Sequence, residues 1–597
     1  MSREPIVILE IDVPRCTRTY GSAPCTASLS ADNPAKCFNM PQVLRADGVR
    51  TGCQDPANYD AGVHTIRFAT SLAGLPRDKG IIPTLQTDPA GGAAEITIAP
   101  TDDYKGILGR RETMRLTIAD AVDNDTGLDP YQSERLSGAA LFSGVGYDPE
   151  TRGTYWGRLL RRWPYWYHAD ARIRRGYVGD DWDDHTVERF VIQSVNGPGA
   201  GKVVTVELYD ELAKVTDDQL LPPVTDGALQ SDLGTGMVDV TLVPEGIGSL
   251  YDASGRVRIN DEIMTYTRVG DVLTLTARGV DGSQVASHSE GDGVQLCVRY
   301  EDLRLDDAWY AILDAAGVSS ARIDSTGFTA EIDTWSPEVR VNRTLSEPEP
   351  VREVAGSLLR SFGFYAWWDR TAGLIRQRLN RPVEPGETVP ILDGERDFIA
   401  GNFKRTILEK QRYTDVAYFH GLPDMTADPN ASASYARASV ARFGELSEAD
   451  AYGEERLLVL RNPWLGRLGG DTVALTTAYR MLTRFASAPV QIERLVDRST
   501  AAGLAMGDPV DVTLYTEQDD DGSTPQRRYQ LVRDQRQPGE RNAVTLVSYG
   551  LADAFGFITE DTAPDYGSAT AEERLTGAWI SEDPPGPYSF TPQYKIS

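Results

Sequence analysis

The chain has 597 residues, 41% of them hydrophobic, and sets 60 basic against 88 acidic residues for a net charge of −28. That length exceeds what one core supports and points to about three to five domains, and no apolar run reaches the ~18 residues of a membrane helix. The acidic balance excludes a surface built to grip DNA by phosphate neutralisation; it suits plain solubility or a conduit that repels its cargo.

A β-rich run, Ile6 to Val13, leads into the stretch from Cys16 to Cys53. Four of the five cysteines fall there, spaced C-x8-C-x11-C-x15-C, with Gly21, Pro24, Asn33, Pro34, Gly48 and Gly52 between them. That composition reads as loops folded round a centre. Two disulfides, a four-thiolate zinc site and an iron–sulfur cluster would each use four sulfurs. The start, MSREPIVILEIDV, has no secretory pattern, which counts against an oxidising compartment. No C-x2-C knuckle occurs, which counts against both metal readings, and the long intervals suit a bulky cubane better than one small ion.

Gly62 to Thr70 is a strand candidate with His64, Ile66 and Phe68 on one face, and Ala73 to Ala93 reads as loop. The words AAEITIAP, ETMRLTIADA, HADARIRRGYVG, VERFVIQSV and GKVVTVELYDEL are short strands with irregular turns between them, the pattern of a barrel or sandwich. Asn196 to Gly201 form the turn of a hairpin. Residues 226–300 hold at least four more strands, with turns at Ser254-Gly255 and Gly270-Asp271. Cys297 alternates there as a buried small hydrophobe, and the lone turn histidine, His288, is expected to face solvent.

Mixed α/β structure begins at Asp306, the expected N-cap of a helix that buries Trp309, Ile312, Leu313 and Ala316 and ends at Gly317. A second helix carries Val351, Val354, Leu358, Leu359 and Phe362 at helical spacing and stops at Gly363. FYAWWDRTAGLIRQRLN follows as a hairpin turning at Asp369 to Gly373. Its adjacent Trp367 and Trp368 point to opposite faces, as core and interface rather than a sugar platform. Next come a strand in TDVAYFHG and two polar helical stretches, around Ala433 to Phe443 and Ser447 to Arg456. A helix with Val473, Ala474, Thr477, Met481, Leu482 and Phe485 on one face precedes VQIERLVD and a late antiparallel set of strands. From Phe555 the chain is rich in Asp, Glu, Pro, Ser and Tyr, and is expected to be an extended arm on a neighbouring subunit.

Catalytic signatures are not found. His64, His168, His185, His288 and His420 stand singly, and H-E-x-x-H and G-x-S-x-G are missing. The calcium-like EQDDDG has Arg528 where the last carboxylate ligand belongs, so it reads as a hairpin tip. No pair of acidic residues nominates itself as a glycosidase site. The expectation is a protein that is not an enzyme.

The words DVPRC-x8-C, KCFN and CQDPANYD resemble the cysteine lobe of siphophage tail-tip hub proteins, like those of phage lambda and of gene transfer agents. ARIRRGY, VIQSV, GKVVTVELYD and then Asp210, Leu212 and Lys214 are similar to the tube-like barrel of baseplate hubs. RGVDGSQVASHSEGD resembles a small β-insertion of phage tail proteins, and YAWWD, a turn and LIRQRLNRP again look like the hub family. The fold expected is mainly β with minor α, multi-domain, with tube-like β-barrels or sandwiches and a small Cys-rich metal lobe. The divisions are 1–72 for strand and lobe, 73–225 for a first tube-like barrel, 226–300 for a small β insertion, 301–385 for a mixed α/β unit, 386–554 for a second tube-like unit with helices, and 555–597 for the arm.

The resemblance implies a [4Fe–4S] cluster on Cys16, Cys25, Cys37 and Cys53, with zinc as the lesser alternative. It also implies a homotrimer at the virion's tail tip, assembled in the host cytoplasm. Its partners would be a distal tail or tail-tube protein, tail fibre or receptor-binding proteins and the tape measure protein. DNA would pass through without specific binding, and no membrane insertion is implied. The alternatives are a tail-associated cell-wall or polysaccharide hydrolase and a zinc-stabilised adhesin.

Overall fold

The computed structural model describes residues 4–28, 37, 42–44, 50–86, 93–98, 108–109, 112–121, 154–199, 201–236, 239–384, 387–394, 396–400, 403–442, 455–466, 470–537, 541–550, 579–580 and 594–595. The fold is mainly β, spread over several sheets. In the first part of the chain the strands are β1 (Pro5–Cys16), β2 (Ala61–Ala69), β3 (Ile81–Ile82), β4 (Ala93–Glu95), β5 (Thr113–Ala119), β6 (Asp170–Tyr177), β7 (Thr186–Asn196) and β8 (Val203–Tyr209). All but β4 form one sheet in the order β3-β2-β1-β6-β7-β8-β5. Thr84 to Gln86 then hydrogen-bond to Thr117 and Ala119 of β5, while the Leu85 N–H bonds to Ala69 of β2, so the sheet closes on itself.

Alternation along β1 explains that closure. Val7, Leu9, Ile11 and Val13 point inward to meet Phe68, Leu116 and Val206, while Ile6 and Ile8 serve a second apolar cluster with Ala69 on the outer face. Helix α1 (Tyr155–Arg162), capped by the Thr154 hydroxyl on the Gly157 N–H, packs Trp156 and Leu159 into the same core. Trp156 stacks on Phe68 with ring centroids 5.1 Å apart.

The next unit contains β9 (Gly227–Leu229), β10 (Asp239–Val243), β11 (Ser254–Ile259), β12 (Glu262–Val269), β13 (Val272–Ala277), β14 (Gly293–Arg304) and β15 (Arg340–Leu345). Their order is β9-β10-β13-β12-β11-β14-β15, and β14 also pairs with β9, so the first six close into a small barrel around Val257, Met264, Leu273 and Val294. Closure leaves those strands no free edge. Cys297 lies in β14 and is buried, as expected, and burial pushes its thiol up to about 12. His288 is a correction. It is buried, its Nε2 lies 2.9 Å from one oxygen of the Glu262 carboxylate, and Arg278 donates to both oxygens of that carboxylate. The turn folds inward because Glu262, with no exposure of its own, needs these donors.

Helices α2 (Leu305–Ala315), α3 (Ser325–Trp335) and α4 (Val351–Phe362) gather round Trp309, Leu358 and Leu359 in the largest core. Asp306 does not cap α2. It sits one position inside the helix, buried, and takes Arg304 and Thr329, because Arg304 occupies the cap position. Gly363 ends α4 in the left-handed region at φ 66°, as the sequence predicts. The hairpin of β16 (Phe364–Asp369) and β17 (Leu374–Leu379) follows. Trp368 enters the helical core, and Trp367 enters a separate cluster with Ile96, Val532 and Val547.

Beyond it lie β18 (Ile391–Asp393), β19 (Lys404–Ile407), β20 (Asp415–His420), β21 (Arg437–Arg442), β22 (Leu457–Asn462), helix α5 (Gly470–Phe485), β23 (Val490–Asp497), β24 (Pro509–Thr513), β25 (Gln526–Gln537) and β26 (Arg541–Ser548). One polar helical expectation is corrected here: Arg437–Arg442 is a strand, antiparallel to β20 in a three-stranded sheet. Its alternating residues pair with a buried strand, and that pairing overrides helix propensity. The other helical stretch lies mostly outside the described residues, as does the C-terminal arm apart from a short pairing of Trp579–Ile580 with Tyr594–Lys595.

The remaining strands form a sheet in the order β18-β24-β25-β26-β23-β19. AAEITIAP supplies β4, and β4 pairs with β25 of this later sheet, with Glu95 opposite Arg533. A segment from the first part of the chain is therefore a strand of the later sheet, and it belongs to no other. Arg370, in the turn between β16 and β17, adds an ionic junction: it reaches Glu112 at 2.9 Å, Glu188 at 3.1 Å and Asp534 at 2.5 Å. Arg536 and Arg175 also lie against Glu188, so three buried carboxylates meet three arginines.

Candidate metal centre

The lobe that carries the clustered cysteines is an excursion between two neighbouring strands. Cys16 is the last residue of β1 and pairs across the ladder with Ala61, the first residue of β2. Cys25 sits in a turn closed by its N–H on the Ser22 carbonyl at 2.9 Å. Cys53 directly follows a short strand, Arg50–Gly52, that pairs with Gln42–Leu44. Cys37 is described, whereas residues 29–36 and 38–41 around it are not.

All four are half-buried free thiols, and Cys37, Cys16 and Cys25 lie near enough to Cys53 to act on its charge. The Cys53 thiol is pushed above its ordinary value first by burial. The nearby thiols of Cys37, Cys16 and Cys25 push it the same way, and the Asp55 N–H, donating to the sulfur at 3.4 Å, opposes them. Cys297 takes no part, being buried in the small barrel. No three His, Cys, Asp or Glu side chains among the described residues are set to hold a single metal ion.

The turn after Cys53 supplies residues that the cysteine spacing alone does not nominate. Asp55 is buried and accepts from the Thr26 N–H at 2.7 Å and the Thr26 hydroxyl at 2.9 Å, and these bonds hold its carboxyl below the usual range. Asn58 donates to both of its oxygens. Asp60 receives the Thr17 N–H on its carbonyl at 3.0 Å and the Thr17 hydroxyl on its carboxylate. Tyr59, between them, has a hydroxyl shut from solvent with no hydrogen-bond partner among the described residues. Burial, then Cys16 and Cys53, push that hydroxyl above its ordinary value. Asp-Pro followed by Asn is a turn signal that was present in the sequence as CQDPANYD.

Four soft sulfur donors, one N–H directed at a sulfur and an unpartnered phenol suit a thiolate-bound metal–sulfur group in chemistry. Cys16, Cys25, Cys37 and Cys53 would hold it. Elsewhere, Asp210 accepts the Glu112 N–H at 2.9 Å, Leu212 enters the helical core and Lys214 pairs with Glu211, so those three residues brace the first sheet against the helices.

No family model matches the chain, and no curated protein matches it. Among solved structures it is similar to the tail protein from Neisseria meningitidis MC58, at 9% identity and a TM-score of 0.35 over 78% of this chain and 98% of that one. It is similar to the 43 kDa tail protein of prophage MuSo2 from Shewanella oneidensis at 9% identity and a TM-score of 0.33, over 78% and 95% of the two chains. It is also similar to a chain of the native gene transfer agent virion at 14% identity and a TM-score of 0.14, over 49% and 79%.

Proposed function

We propose that this chain is a structural component of a phage-like tail, the hub of the tail tip, with a metal–sulfur group in its N-terminal lobe. The observation that carries the proposal is that hydrogen bonds tie the Cys16 and Cys25 segments to the turn that follows Cys53, within words that resemble the cysteine lobe of tail-tip hubs. A [4Fe–4S] cluster is preferred to zinc, because the long intervals between the cysteines suit a bulky cubane better than one small ion. The group's role is structural: it cross-links a loop-rich lobe that has too few apolar residues for a core of its own.

Two large sheets tied to each other in each chain suit a trimer whose six sheets make one ring, adapting a tail tube to a threefold tip. The tail tube or distal tail protein would lie on one side, with fibre or receptor-binding proteins on the other. The tape measure protein and then DNA would pass through an acidic bore that does not bind them. No catalytic step is assigned to the chain.

The test is anaerobic purification of the wild type and of Cys16→Ser, with iron, sulfide and zinc measured on each, and the solution mass by light scattering. About four irons and four sulfides per wild-type chain, falling in the variant, support the cluster. Zinc alone, or no metal with oxidised cysteines, overturns it. A mass of one chain at micromolar concentration counts against the ring.

A further inference from the structure

The turn from Asp55 to Asp60 hydrogen-bonds to the residues that follow Cys25 and Cys16 and to the Cys53 sulfur. The Asp55 carboxylate accepts from both the N–H and the hydroxyl of Thr26, the residue after Cys25, while Asp60 takes the N–H of Thr17, the residue after Cys16, on its backbone carbonyl and the Thr17 hydroxyl on its carboxylate. The same turn begins two residues after Cys53 and returns the Asp55 N–H to that sulfur. Three cysteine-bearing segments, far apart along the lobe, thus meet on one short piece of chain. Asn58 locks the Asp55 carboxylate by donating at 3.2 and 3.0 Å to its two oxygens, and Pro56 restricts the backbone between them. The charge clusters at Glu262 and at Arg370 are occupied with their own counter-ions, whereas the Tyr59 hydroxyl, buried and with no partner among the described residues, sits beside Cys16 and Cys53.

We propose that the Asp55–Asp60 turn is the positioning frame of the thiol site: Asp55 and Asp60 hold the Cys25 and Cys16 segments against Cys53, and the Tyr59 hydroxyl donates a hydrogen bond to a sulfur of the bound group. The tyrosine half rests on the reading that a metal–sulfur group binds in the lobe; the frame half does not. Outer hydrogen bonds of this kind fix the orientation of ligands and commonly change metal affinity by about 10- to 100-fold. Donors to cluster sulfurs also set reduction potential. Neither Asp55 nor Tyr59 is itself a ligand in this arrangement.

Three variants of the full chain separate the two halves: Asp55→Ala, Asp55→Asn and Tyr59→Phe. In the metal-free chain, the rate at which each cysteine reacts with a thiol-labelling reagent is read by peptide mass spectrometry. Asp55→Ala is expected to speed labelling of Cys25 and Cys53 several-fold, with Asp55→Asn in between because its amide keeps one acceptor oxygen. Equal rates in all three chains overturn the frame. In the reconstituted chain, Tyr59→Phe is expected to keep the iron and sulfide content of the wild type and to move the midpoint potential to a more negative value, with a changed visible spectrum. An unchanged potential and spectrum, or a wild type that takes up no iron and sulfide, overturns the tyrosine half. In the latter case the proposed function of the lobe fails as well, while the labelling rates still decide the frame.

Discussion

Arg370 reaches Glu112 at 2.9 Å across 258 positions of sequence, and the same guanidinium also touches Glu188 and Asp534. One side chain in a hairpin turn thus neutralises carboxylates from three different stretches of the fold. Removing one partner of a buried ionic group leaves the others uncompensated, which costs about 3–5 kcal/mol. Arg370→Met is therefore expected to lower the unfolding free energy by that amount in denaturant titration. Lys404→Ala, which breaks an exposed pair with Glu493, is expected to change it by less than about 1 kcal/mol. Equal effects of the two would refute the junction.

Glu262→Gln tests the small barrel in the same way. The carboxylate has no exposure and accepts from Arg278, the Gly279 and Ala286 N–H groups and His288. The amide keeps part of this pattern but leaves Arg278 without its counter-charge, at a cost of about 3 kcal/mol or more. Hydrogen exchange should quicken across β11, β12 and β13 and stay unchanged in β1 and β6. Acceleration in both sheets would mean that the barrel is not an independent unit.

The seat of β4 on β25 is testable at a glycine. Gly109 stands at φ +72°, and a Cβ there would lie 2.0 Å from the Glu95 carbonyl oxygen of β4. Gly109→Ala must both strain its own backbone and push β4 away from β25. Gly80, at φ +63° with open space around it, shows the strain alone, about 1–2 kcal/mol. Gly109→Ala is expected to exceed Gly80→Ala in lost stability and to speed exchange of the Ile96 N–H, which bonds to the Val532 carbonyl.

Acid acts through the histidines. Burial first of all holds His64, His168, His185 and His420 below the ordinary value of 6.5. A group whose folded value is depressed adds stability above its unfolded value, and that stability drains away as pH falls toward the folded one. The unfolding midpoint in denaturant should therefore be level above pH ~7 and fall progressively below pH 6.5. His420→Gln should flatten part of that fall; a midpoint independent of pH between 7 and 5 would contradict the assignment.

What the sequence disclosed follows the range over which each signal acts. The helix Val351–Phe362 with its terminal Gly363 and the hairpin around Trp367 and Trp368 are written in residues a few positions apart, and local pattern sufficed for them. The pairing of Ala93–Glu95 with a strand more than four hundred positions later leaves no local trace, because any short β word pairs equally well with many edges. His288 looked exposed because turns usually are; its burial comes from Glu262, a carboxylate that no periodicity marks as interior. Arg437–Arg442 read as helix until a neighbouring strand claimed it. At the thiol site the sulfurs were legible and their scaffold was not. Asp55 and Asp60 act through the threonines beside Cys25 and Cys16, and only the folded chain brings those pairs together.

The ladder position of Cys16 opposite Ala61 has a consequence for the history of such a chain. The lobe departs and returns at facing places on adjacent strands, so the ladder between β1 and β2 closes without using any residue between them. A lineage could acquire the lobe, enlarge it or exchange it for a tight turn, and the ladder between β1 and β2 would register none of these events. The cysteines could thus be inherited, remodelled or lost as a module without any change in the pairing of the two strands that carry them.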